Sequence, residues 1–151
     1  MQEKPTYELD EMLKNIKNEE ELSAFYKDNS EYLADDKKGF YYYMKDMAES
    51  KNIFLKDLYS FAGVSEKYGE KILRMEKHTK NRDLIIRLCI AGHFLLDELN
   101  RALKLYGMTP LYAKDKRDAC LIVAVNNRIY DLADIDKRLT DNGFIKLSVD
   151  E

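Results

Sequence analysis

The sequence predicts an all-α fold, and three observations carry that prediction. Gly and Pro are scarce, 6 and 2 among 151 residues, which leaves few of the turn formers that strands need at every corner. Apolar side chains recur at i, i+3 and i+4 spacing along most of the chain, the period of a helix with one buried face. Hydrophobic residues make up 45% and charged residues 35%, enough apolar material for one sizeable core under a charged surface. The chain is therefore expected to be one compact domain over 1–151, with acidic helices at 1–38, a central unit at 39–90 and repeated hairpins at 82–147.

Taken in order, Pro5-Thr6 is a start signal ahead of Leu9, Met12, Leu13 and Ile16, which predicts a helix over about 7–17. Asn18 stands three residues before Glu21, a capping-box arrangement for a second helix that carries Leu22, Phe25 and Tyr26. The run GFYYYMKDMAESKN, 39–52, puts Phe40, Tyr43, Met44 and Met47 on one face. Of its three adjacent tyrosines Tyr42 is expected to be the exposed one, the others serving as core. Next, IFLKDLYSFAG aligns Phe54, Leu55, Leu58 and Phe61 and ends at Gly63, suited to a left-handed turn. Ser65 then caps the segment SEKYGEKILRME, with Tyr68, Ile72 and Met75 as its apolar stripe.

Residues 82–111 and 117–147 read as two copies of one unit. Arg82-Asp83 opens the first and Arg117-Asp118 the second, each leading into an apolar helix. FLLDELNRALKLYGMTPL then aligns with YDLADIDKRLTDNGFIKL, pairing Phe94 with Tyr130, Leu99 with Ile135, Leu103 with Leu139, Gly107 with Gly143 and Leu111 with Leu147. Each copy is an α-hairpin with a Gly cap, which brings the expected total to about nine helices. The recurring Arg-Asp pairs predict a buried or capping contact between the hairpins.

The succession helix, helix, Gly-containing turn, Ser-capped helix is helix-turn-helix grammar. Ala62 lets the two helices approach, Gly63 takes positive φ, Val64 plugs the core and Ser65 caps the second helix. Residues 63–90 are locally basic although the net charge is −3, with Lys67, Lys71, Arg74, Lys77, Lys80, Arg82 and Arg87 outnumbering the acids. In the usual docking geometry the N-terminal half of the second helix enters the major groove. The predicted DNA-binding residues are Ser65, Glu66, Lys67, Gly69, Glu70, Lys71 and Arg74 on that helix, followed by Lys77, His78, Lys80 and Arg82 as phosphate contacts.

The AGVS turn, Ile72, the basic loop Lys77-His78-Thr79-Lys80-Asn81-Arg82-Asp83, LKLYGMTPLY and KRDACLIVAV together carry a resemblance. Residues 39 to about 90 resemble the lambda-repressor or XRE type of helix-turn-helix domain. Over 39–147 the chain is similar to small XRE-like proteins of Gram-positive bacteria, in which such a domain precedes a duplicated helical hairpin. The resemblance implies a transcriptional regulator that acts by occupying an operator on double-stranded DNA. Dimerisation is expected because one recognition helix reads only a few base pairs. The alternative is a protein-interaction module, adaptor-like or antitoxin-like, holding a partner through the acidic N-terminal helices, with Glu19, Glu20 and Glu21 consecutive and Asp35 and Asp36 behind them. The absence of Gln from the second helix and a pI near 5.5 favour that alternative.

No motif for catalysis occurs: there is no G-x-S-x-G, no Gly-rich phosphate loop and no Cys-His arrangement with a mechanical rationale. Acid pairs such as Asp134 and Asp136 read as solvated faces. With two histidines and no acid cluster beside either, neither a metal nor a cofactor is expected. His78 reads as a phosphate contact or a solvated loop residue, and His93 as a dipole-compensating or half-buried residue. Cys89 and Cys120 sit in apolar helices and read as free core residues. No signal-peptide layout opens the chain and no apolar run approaches ~18 residues, so a cytoplasmic protein without membrane contact is expected.

Overall fold

The computed structural model describes residues 6–28 and 39–149. The chain divides into two compact units, 1–35 and 36–151. Among the described residues all regular structure is helical, and no helix is long and apolar enough to cross a membrane.

The first unit holds α1 (Thr6–Lys14) and α2 (Glu19–Asp28). α1 ends earlier than its apolar pattern predicts, as the N–H groups of Asn15 and Ile16 turn back onto the carbonyls of Met12 and Leu13. Asn18 caps α2 as expected, its Oδ1 accepting from the Glu21 N–H at 2.8 Å, while Glu21 accepts from the Lys17 N–H at 2.9 Å. Phe25 is buried. The Tyr26 side chain, Pro5, Asp35 and Asp36 lie outside the described residues.

The second unit comprises α3 (Gly39–Ser50), α4 (Leu55–Ala62), α5 (Glu66–Leu73), α6 (Arg82–Ala91), α7 (Leu96–Tyr106), α8 (Lys116–Asn126) and α9 (Leu132–Asp141). α6 is the axle, with every residue from Leu84 to Ile90 buried, as expected of a helix packed on all sides. α4 and α7 flank it, α3 packs on α5 and α7, and α8 joins α7 to α9. α3 presents Phe40, Met44 and Ala48 to the core, close to the predicted face. Tyr43 is half-buried, donates to the Glu98 carbonyl at 3.2 Å and meets Phe94 edge-on. Burial first, then the Glu98 charge, pushes its pKa up to about 12. Tyr41, Tyr42 and Tyr43 are all half-buried, so Tyr42 is not the exposed residue of the run.

The predicted face of α4 is displaced. Leu58, Tyr59 and Ala62 are buried, whereas Phe54 is 70% exposed and only precedes the helix as its N-cap. α5 stops at Leu73, short of the predicted end, because Met75 takes φ 60 and the Glu76 N–H returns to the Lys71 carbonyl, closing the helix. All seven helices of this unit are followed by a left-handed residue: Gly63, Gly107 and Gly143 as read from the sequence, and Asn52, Met75, His93 and Arg128, where no glycine announces it.

The two hairpins can be compared position by position. His93 and Arg128, 35 residues apart, occupy equivalent left-handed positions, whereas the starts of α7 and α9, Leu96 and Leu132, are 36 apart. One residue is therefore inserted in the second copy, and it is Tyr130. The N–H of Phe94 bonds Cys89 O and that of Ile129 bonds Ala124 O, so Ile129, not Tyr130, is the counterpart of Phe94. Tyr130 instead donates to the Phe94 carbonyl at 3.0 Å and stacks on His93. His93 is thus exposed and stacked, rather than half-buried.

The Arg-Asp pairs cross between the hairpins. Arg82 holds Asp118 through both Nη atoms at 2.9 Å, and Arg117 holds Asp83 in the same way at 2.9 Å. Each arginine also donates to the chain that closes its own hairpin, Arg82 to the carbonyls of Thr109 and Pro110, Arg117 to those of Ile145 and Lys146. Asn100 and Asp136 repeat at a smaller scale, accepting from the N–H groups of Leu111 and Leu147. Both cysteines are free, Cys89 buried and Cys120 half-buried, and burial pushes the Cys89 thiol pKa up, which keeps it protonated and inert.

Candidate nucleic-acid interface

The candidate interface begins at the junction of α4 and α5. Gly63 adopts φ 79 directly after α4, and the Val64 N–H reaches back to Tyr59 O at 3.1 Å. Ser65 is extended, and its Oγ accepts from the Tyr68 N–H at 3.1 Å, which starts α5. Ala62 is fully buried and Val64 half-buried. Each turn residue thus does what its chemistry predicts.

α5 turns Glu66, Lys67, Glu70 and Arg74 outward, with Lys71 half-buried, and turns Gly69, Ile72 and Leu73 into the core. Two departures follow. Leu73 joins the buried stripe, a residue the periodicity passed over in favour of Met75, which is half-buried beyond the helix. Gly69, expected on the outward face, is buried against Tyr59. A Cβ there would overlap the ring, lying 2.6 Å from its Cγ. The glycine lets α5 lie against the α4 aromatic. Tyr59 is pushed up to about 12, by burial first and then by the Glu70 charge, so it remains a neutral support.

Arg74 does not project freely. Its Nε donates to Glu70 at 3.0 Å, its Nη2 to the Tyr41 hydroxyl at 3.3 Å, and its guanidinium lies 4.7 Å from the Tyr41 ring centroid. Tyr41 stands 33 residues away in sequence, and nothing local marks it as a partner. With Leu55, Tyr59 and Glu66 these groups line a shallow depression of about 160 Å³ at the foot of α5.

Beyond α5, Lys77, His78 and Lys80 lie in an exposed loop. The His78 ring stacks on Tyr106 at 4.7 Å, and the Tyr106 hydroxyl accepts from the Thr79 N–H at 2.8 Å, anchoring the loop. Arg82 is otherwise engaged. Nε, Nη1 and Nη2 all donate to Asp118 or to the carbonyls of Thr109 and Pro110, leaving no free edge for a phosphate. Arg87, counted from the sequence among the basic residues here, is buried. The surface that remains carries Lys67, Lys71, Arg74, Lys77 and Lys80 interleaved with exposed Glu66, Glu70 and Glu76.

Among the described residues no three His, Cys, Asp or Glu side chains are placed to hold a metal ion. Compared with known proteins, the chain matches no family model, no curated protein and no solved structure.

Proposed function

We propose that this protein is a DNA-binding transcriptional regulator of the XRE-like helix-turn-helix type, acting by operator occupancy without chemistry of its own. The observation that carries the reading is the α4–α5 junction, with Gly63 at φ 79, Ser65 capping α5 and Gly69 seated on Tyr59. This arrangement gives α5 a rigid base and turns Lys67 and Lys71 away from it. Lys67, Lys71, Lys77 and Lys80 form no ion pair with any described residue, so their charges are available to phosphate. An eight-residue helix is ~12 Å long and spans only a few base pairs, which calls for two copies on two half-sites.

A protein-interaction module is the second reading, and it is favoured by one specific feature. Glu66, Glu70 and Glu76 are exposed on the same surface, and Glu70 already pairs with Arg74, which weakens attraction to phosphate and suits a partner of mixed charge.

Fluorescence anisotropy of the protein on its own promoter and on a scrambled duplex, from low to physiological salt, separates the two. The DNA reading expects promoter binding that survives physiological salt. Lys67→Gln and Lys71→Gln should each reduce the salt slope by about one. Absence of binding at low salt overturns it in favour of a protein partner.

A further inference from the structure

Arg87 is an arginine in the middle of the core helix, 4% exposed, with no carboxylate among the described residues bonded to it. Its Nε donates to the Ala62 carbonyl and its Nη1 to the Leu147 carbonyl, both at 2.9 Å. Nη2 has no hydrogen-bond partner among the described residues. Since no buried side-chain nitrogen or oxygen there is left without a partner, Nη2 is not fully buried. The nearest acids are committed elsewhere, Asp83 to Arg117 and Asp136 to the N–H groups of Leu147 and Ser148. A guanidinium buried among carbonyls without a counter-charge is costly, and burial lowers its pKa.

Arg87 lines a groove of about 760 Å³ together with Phe61, Gly63, Leu132, Lys146, Ser148 and Val149. Apolar and polar groups share its lining, and a concavity of this volume that joins apolar wall to a few polar groups is of the size that small molecules occupy. A guanidinium nitrogen is a strong donor to a carboxylate. We propose that this groove binds a small organic monocarboxylate with an apolar tail, its carboxylate on Arg87 and its tail along Phe61, Leu132 and Val149. A guanidinium to which no described carboxylate is hydrogen-bonded selects the anion, and the walls select the tail. Because Gly63 lines the groove, the ligand would sit directly beneath the turn between α4 and α5. The site stands independently of whether α5 reads DNA.

The test is titration of the full chain with hexanoate at constant ionic strength, followed by the Arg87 Nε–Hε resonance and the Gly63 and Val149 amides in ¹H–¹⁵N spectra, with hexanol as neutral analogue. The expected result is a saturable shift at all three positions, with hexanol at least about tenfold weaker, the worth of one charge-assisted hydrogen bond. Val149→Trp, which enlarges an exposed wall residue of the groove and leaves the Ala62 and Leu147 carbonyls in the chain, should abolish the shift while leaving the folded spectrum intact. Equal binding of hexanoate and hexanol, an unsaturable shift, or full binding by the Val149→Trp variant overturns the proposal. So does hexanoate binding that emerges only after Asp150→Asn and Glu151→Gln, which would make the chain's own acids the occupant.

Discussion

Asp118 and Asp83 play the same part in the crossed pairs but in different surroundings. The Asp118 side chain is 8% exposed and also accepts from the Tyr112 N–H, whereas Asp83 is 30% exposed. Burial alone would raise the Asp118 pKa, but hydrogen bonds from Arg82 and the Tyr112 N–H, with the charges of Arg82 and Arg117, hold it below the usual carboxylate range. Asp118→Ala should therefore destabilise by ~3 kcal/mol, since it removes a buried carboxylate that serves both Arg82 and the Tyr112 N–H, while Asp83→Ala, which removes a more exposed carboxylate from Arg117 alone, should cost only about 1 kcal/mol; thermal unfolding of both compares them. A depressed folded-state pKa contributes stability above the ordinary aspartate value and loses it as pH falls through the depressed one. Acid titration of stability below about pH 4 should accordingly be shallower in Asp118→Asn than in the wild type. Arg128, exposed with φ 57, makes the opposite prediction. Arg128→Gly should raise stability by about 0.5–1 kcal/mol, because relief of the left-handed conformation outweighs the added freedom of the unfolded chain.

The helices show where reading by period succeeds and where it slips. Punctuation was legible: Asn18, Gly63, Ser65, Gly107 and Gly143 act where their side chains, or lack of one, predict. Phase was less legible, because periodicity cannot tell which of several apolar residues on neighbouring turns meets a neighbour. Tyr59 rather than Phe54 goes inside on α4, and Leu73 rather than Met75 on α5. Gly69 shows the difference between intrinsic propensity and packing. Gly69→Ala would improve an isolated helix by ~1 kcal/mol, yet here it should destabilise by about 1–3 kcal/mol, because the Tyr59 ring has no room. In a double-mutant cycle with Tyr59→Ala, chemical denaturation should find the double variant less destabilised than the two single effects combined; strict additivity would refute the contact.

Across the whole molecule, the buried cluster of the second unit runs from Phe40 on α3 to Leu147. A fragment of residues 36–151 should therefore keep a cooperative thermal transition within a few degrees of the full chain, with helical circular dichroism intact. Loss of that transition would show that α1 and α2 are needed for the fold. Deleting 144–151 should be far more damaging, since it removes the Leu147 carbonyl that Arg87 holds and the carbonyls of Ile145 and Lys146 that Arg117 holds.

By itself the sequence determined the helical class, the helix starts and glycine stops, and the duplication opened by Arg82-Asp83 and Arg117-Asp118. Those features depend on local backbone preferences and on repetition along the chain. Which charges stay on the surface was decided only by the tertiary structure. Arg82, Arg87 and Arg74 read alike as basic residues of one segment, but Asp118, the Ala62 and Leu147 carbonyls and the Tyr41 ring take them up from distant positions. A guanidinium's role depends on which acceptors the fold brings within hydrogen-bonding distance, and those acceptors stand 25 to 60 residues away along the chain, beyond the reach of any local pattern.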